Sequence, residues 1–238
     1  MSRSEPSEVK SRDKVLGRGF SNLFVSTSAA AFGGSVSTVA VSWIVYFYTH
    51  NALYIAYLGM AGVIPGIVLG LFAGVIADRY DRKRLMVTSD VVRMISMAFL
   101  ALFLYFVSFS FPLILAVMVV VYTFSTIFQP ASQAILPMLI QKEGLEDANG
   151  MLQGSFSVFQ AIGSAAGGLV VAYLGAVWGL GINSMTYALS AVFLFTIVGH
   201  FHISRTEEGS KQSSFSSELK VGMKYMKEHL PILEVTLG

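Results

Sequence analysis

The chain has 238 residues, of which 54% are hydrophobic and only 13% charged, and its mean hydropathy is +0.66, a balance that excludes an ordinary water-soluble globular protein. The formal net charge of +2 points to no nucleic-acid partner, because membrane topology accounts for every basic residue. With no cysteine there is neither a disulfide framework nor a thiolate metal site.

Residues 1–18 mix charges with Ser, Gly and Pro and read as a cytoplasmic tail. Asp, Glu, Lys and Arg are then absent from three long windows, residues 19–77, 94–141 and 148–204. An ion at the bilayer centre costs at least roughly 2.5–3.5 kcal/mol, so such windows mark membrane segments. Each is two to three times the ~20 residues that a helix needs to cross ~30 Å of hydrocarbon, and each should hold a hairpin of two spans. The expected fold class is an all-α membrane protein with six transmembrane helices, at about 20–48, 53–77, 85–107, 112–139, 151–174 and 179–199 within a domain of residues 19–200. The first window is far longer than the ~7–15-residue apolar core of a signal peptide and reads as a retained span.

All sixteen Lys and Arg residues lie on one side of this scheme. Five precede residue 19, four fall in 79–84, two are Arg93 and Lys142, and five lie between 205 and 227. The positive-inside rule therefore puts both ends and the loops near 78–84 and 140–150 in the cytoplasm of a plasma-membrane protein.

Within span two, Gly62, Gly66, Gly70 and Gly74 recur every four residues and form one smooth helix face that allows close approach and sliding of a neighbour. The cytoplasmic turn that follows carries Gly74, Asp78, Arg79, Arg82 and Lys83. This pattern resembles the signature loop of the major facilitator superfamily, Gly-x-x-x-Asp-Arg-x-Gly-Arg-Lys, with Asp81 where that family usually has glycine. The resemblance implies a fold of two six-span halves around a central site, each half made of two inverted three-helix repeats. It also implies that Asp78 gates the outward-open state by docking on a helix end of the other half.

Asp90 and Arg93 are the only ionised groups inside the expected spans, and their i,i+3 spacing allows them to pair as support for the gate. Span five carries Gly163, Ser164, Gly167 and Gly168, which is similar to the antiporter motif of drug exporters with Ser164 in place of proline; its glycines are expected to serve helix packing. Residues 129–137 and 143–150 are similar to the exporter branch that contains siderophore and macrolide efflux proteins. That branch often has an arginine in span four and an acidic residue in span one, both missing here.

In the superfamily, spans one, two, four and five line the cavity, which makes Trp43, Tyr46, Tyr57, Tyr122, Gln129, Gln133 and Gln160 candidate substrate contacts. As a set they imply a neutral, aromatic cavity suited to a lipophilic or amphipathic small molecule. His50, His200, His202 and His229 fall at span ends or in cytoplasmic segments and form no catalytic or metal-binding constellation, so neither an enzyme, a cofactor nor a metal is expected.

Beyond the spans, residues 201–230 read as a linker with an amphipathic helix. Phe215, Leu219, Met223, Met226 and Leu230 form its apolar stripe, and Lys220, Lys224 and Lys227 face the lipid headgroups. Residues 231–238 resemble the start of a truncated seventh span. The expected function is proton-coupled efflux by alternating access, with a missing C-terminal half or a second copy as partner and the lipid bilayer around both. The alternatives are a non-transporting six-span scaffold and a half-transporter that acts only as a dimer.

Overall fold

A computed structural model describes residues 17–79 and 81–197, with side chains described for 17–68 and 81–197. The expectations for residues 1–16, 201–230 and 231–238 lie outside the described residues. Six long helices follow one another: α1 (Arg18–Thr49), α2 (Ala52–Arg79), α3 (Arg82–Phe106), α4 (Phe111–Leu139), α5 (Leu145–Tyr173) and α6 (Ala176–Phe195). No strand occurs among the described residues. Long charge-free apolar sequence folds this way because lipid offers the backbone no hydrogen bonds, and a helix satisfies its N–H and C=O groups internally.

Local chemistry ends each helix. His50 adopts a left-handed conformation (φ 49°) and donates its N–H to Tyr46 O, and Asn51 Oδ1 then accepts the Leu53 N–H at 2.9 Å to start α2. Gly175 turns the chain between α5 and α6 with φ 94°, a value that favours glycine. Five of the helices are long and apolar enough to cross a membrane, and the described side chains of α2 add the apolar stretch Ala52–Val68. The shortest, α6, has 20 residues and extends about 30 Å, the thickness of the hydrocarbon layer. Large apolar side chains point away from the bundle, such as Phe106 and Met185, each 75% exposed, as suits a surface solvated by lipid.

The pairing of helices has an internal symmetry. Helix α1 packs along α5 and α6, α4 packs along α2 and α3, and α3 packs against α6. Exchanging the first three helices for the last three turns α1–α6 into α4–α3 and α1–α5 into α4–α2, and leaves α3–α6 unchanged. Because three crossings separate α1 from α4, the repeats run in opposite directions through the bilayer, the arrangement of inverted repeats in secondary transporters.

Two apolar clusters hold this bundle, one built around Phe20, Met86, Ile135 and Leu194 and the other around Val45, Met97, Ile114 and Leu180. Small residues let α1 sit deep between its neighbours. A Cβ on Gly163 would lie 2.5 Å from the Phe32 carbonyl oxygen, one on Gly167 would lie 3.1 Å from Val36 Cα, and one on Gly33 would collide with Thr186 Oγ1. On α2, a Cβ on Gly62 would meet the Tyr122 ring at an ordinary 3.6 Å, whereas Gly66 and Gly168 have no described neighbour within 4 Å. Gly163→Val is therefore expected to cost about 1–3 kcal/mol or more, since the obstructing atom is backbone. The measurement is the melting temperature in detergent, where Gly168→Ala should leave the value unchanged; equal behaviour of the two variants would refute the close α1–α5 contact.

Candidate functional site

The turn between α2 and α3 is tied to two other helices. Asp81 is the N-cap of α3, its Oδ1 accepting the Arg84 N–H at 2.8 Å. This supplies a local reason for aspartate where the superfamily pattern has glycine: the carboxylate satisfies one of the orphan donors of the first turn. Arg82 is buried, donates from Nη1 to the Ala134 carbonyl of α4 at 2.7 Å and lies 3.6 Å from Met138 Sδ. Lys83 Nζ donates to the carbonyls of Phe195 (2.8 Å) and Ile197 (2.6 Å) at the end of α6 and lies 5.3 Å from the centre of the Phe195 ring. The carboxyl ends of helices carry partial negative charge, so two cations at the start of α3 hold the ends of α4 and α6. Gly70, Gly74, Asp78 and Arg79 belong to the last turns of α2, where the backbone alone is described.

Between the two apolar clusters lies a buried polar network. Asp90 is fully buried and Arg93 is 4% exposed; they form an ion pair within α3. Ser190 Oγ on α6 donates to the other carboxylate oxygen. Its single proton is thereby used, so in the 2.7 Å contact with Ser26 on α1 it is Ser26 that donates. Arg93 also donates from Nε to the Ser89 carbonyl and from Nη1 to Ser125 Oγ on α4, each at 3.3 Å. The rings of Phe128 and Tyr187 lie on the guanidinium, each 4.5 Å from its carbon. One ion pair thus joins α1, α3, α4 and α6.

Arg93 is also part of a cavity wall. A space of about 260 Å³ opens among α1, α3, α4, α5 and α6, bordered by Arg93, Tyr122, Ser125, Gln129, Gln160 and Thr38 among others. A second space, about 270 Å³, lies between α1 and α5 and is edged by Ser35, Thr38, Ser157, Gln160 and Ser164. A third, about 690 Å³, is lined by Thr38, Trp43, Tyr46, Ile55 and Gly168. Thr38 borders all three, so they form one tract along the exposed side of α1. The candidates Trp43, Tyr46, Tyr122, Gln129 and Gln160 all line it. Tyr57 instead joins an aromatic group with Tyr54 and Phe111, and Gln133 is exposed on α4 outside these cavities. Sequence reasoning overlooked Arg93 and Thr38 as lining residues; the signal available was Ser35, Thr38 and Ser42, spaced by three and four on one helix face.

A buried pair broken on one side leaves an uncompensated charge. Arg93→Leu is expected to cost about 3–5 kcal/mol, while Asp90→Asn combined with Arg93→Leu recovers much of that loss, because an uncharged pair needs no counter-ion. Thermal unfolding of the single and double variants checks this, and additive losses would show that the pair does not act as a unit.

Known proteins similar to this chain agree with one another. The family described as transmembrane secretion effector matches residues 16–237. The staphyloferrin A transporter of Staphylococcus aureus is 27% identical over 214 residues, which is 87% of this chain and 51% of that protein. The multidrug efflux pump Tap of Mycolicibacterium fortuitum is 31% identical over 170 residues, 68% of this chain and 40% of its own length. Macrolide efflux protein A of Streptococcus pyogenes is 21% identical over 220 residues, covering 92% of this chain and 53% of that protein. The chain spans about half the length of the curated relatives it matches. It is a multi-pass membrane protein, and it belongs to the transmembrane secretion effector family of the major facilitator superfamily, whose members are transporters rather than enzymes.

Proposed function

We propose that this chain is one half of a secondary-active exporter that moves lipophilic or amphipathic small molecules across the plasma membrane by alternating access, driven by protons. The observation that carries this reading is the tract along α1, whose Ser, Thr and Gln side chains and aromatic rings offer hydrogen bonds beside apolar surface. The relatives named for multidrug and macrolide efflux support the same substrate class. A second six-span half, on the same polypeptide or in a second copy, closes the pathway over this face.

Both ends and the α2–α3 turn lie in the cytoplasm in this proposal, following the placement of Lys and Arg. Asp78 docks on the amino end of a helix in the opposite half and holds the outward-open state, while Arg82 and Lys83 keep the turn fixed to α4 and α6 so that the half rocks as one body. The test uses everted membrane vesicles that contain the native protein and a lipophilic fluorescent dye. Dye uptake should follow an imposed pH gradient and stop when the gradient is collapsed; uptake indifferent to the gradient would contradict proton coupling. A carboxylate at a helix amino end is worth up to ~2 kcal/mol when partly buried, so Asp78→Asn is expected to lower uptake several-fold at equal membrane abundance. Unchanged uptake would remove the gating role.

A further inference from the structure

Arg93 carries more donors than its partners use. A guanidinium has five N–H groups, and three of Arg93's have acceptors, in Asp90, Ser125 and Ser89. Two N–H groups are left without an acceptor among the described residues, on a side chain that borders the 260 Å³ cavity. The Phe128 and Tyr187 rings fix the plane of the group, and Asp90 fixes its rotation within that plane. A donor fork held in this way is organised before anything binds to it.

We infer that Arg93 is a substrate-binding residue whose free N–H groups donate to an uncharged oxygen acceptor, a carbonyl or ether, on the transported molecule. The inference rests on the reading of this tract as the substrate path. The preference for an uncharged acceptor follows from Asp90. The carboxylate already neutralises the guanidinium, and Arg93 is the one charged group among the described residues that line the cavity. A carboxylate or phosphate entering beside this pair would bring an unbalanced charge into an apolar bundle, which is costly. A carbonyl brings none and converts two unused donors into hydrogen bonds, while Tyr122, Met97 and Met118 enclose the apolar part of the molecule.

Benzophenone is a suitable probe, because it is a neutral aromatic ketone whose photoexcited carbonyl abstracts hydrogen from a nearby C–H and leaves a covalent mark there. Photolabelling is done on the native protein in its own membrane, and the labelled position is found by peptide mass spectrometry. Labelling is expected at Met97, Met118 or Val121. Benzanilide, which keeps a neutral carbonyl, should compete at a concentration roughly tenfold or more below that of diphenylmethane, which has a similar shape and no acceptor, the scale of one charge-assisted hydrogen bond. Benzoate should compete poorly. Arg93→Lys keeps a cation for Asp90 but loses the fork and should reduce labelling by a similar factor; the competition series on the unaltered protein decides the matter even where that variant folds badly. Equal competition by diphenylmethane, stronger competition by benzoate, or no label in this cavity overturns the inference. Dye uptake in the same membranes separates the two readings. Uptake without carbonyl preference sinks the role of Arg93 alone, and carbonyl-selective labelling without uptake leaves Arg93 as a binder of neutral carbonyls but sinks the transport reading and, with it, the claim that the bound molecule is a substrate.

Discussion

The structure depends on how it accommodates one buried ion pair. Asp90 and Arg93 are almost wholly buried, so the protein itself must supply most of the contacts that compensate their charges. It does so from four helices: Ser190 and Tyr187 on α6, Ser125 and Phe128 on α4, Ser26 through Ser190 from α1, and the pair itself on α3. A rotation of any of these helices by one residue would break a contact to a charge. The network therefore fixes the rotational register of four of the five helices that border the cavity, in a membrane where apolar packing alone distinguishes poorly between neighbours and lipid.

The same logic explains the far end of α3. Arg82 and Lys83 contact the carbonyl-rich ends of α4 and α6, the helices that the ion pair also joins to α3. Helix α3 is thus anchored to both partners at its start and again near its middle. The exchange symmetry of the pairing makes α1 and α4 equivalent, each flanked by two helices of the other repeat. A unit braced in this way is suited to move as a rigid body, which is what the proposed rocking mechanism requires of each half.

The fold class was legible because membrane physics leaves few solutions. Long windows without a single ion, bounded by clusters of Lys and Arg, can only be hairpins of apolar helices. The family was legible in the turn, where Gly74, Asp78, Arg79, Arg82 and Lys83 keep a spacing that topology alone does not demand. The character of the cavity was harder to read. Counting side chains per span gave a neutral lining, since Arg93 stands on a span not expected to face the site. Its side chain reaches the wall because Asp90 and two aromatic rings orient it, and the rings come from α4 and α6, distant in sequence. The position of Gln133 outside the tract has the same origin: composition names polar residues in a helix, while neighbouring helices decide which of them face inward.

Transport along α1 requires the tract to be a water-accessible path in the assembled protein and not a surface covered by lipid. These 238 residues contain no cysteine, so a single introduced thiol reports its own surroundings. The decisive measurement is the rate at which Thr38→Cys, in native membranes, reacts with a small charged thiol reagent, compared with Met185→Cys on the exposed outer side of α6. Rapid modification of the thiol at 38 and little at 185 is expected. Equal inertness of the two would mean that lipid covers both, and the cavity would not be a path for substrate.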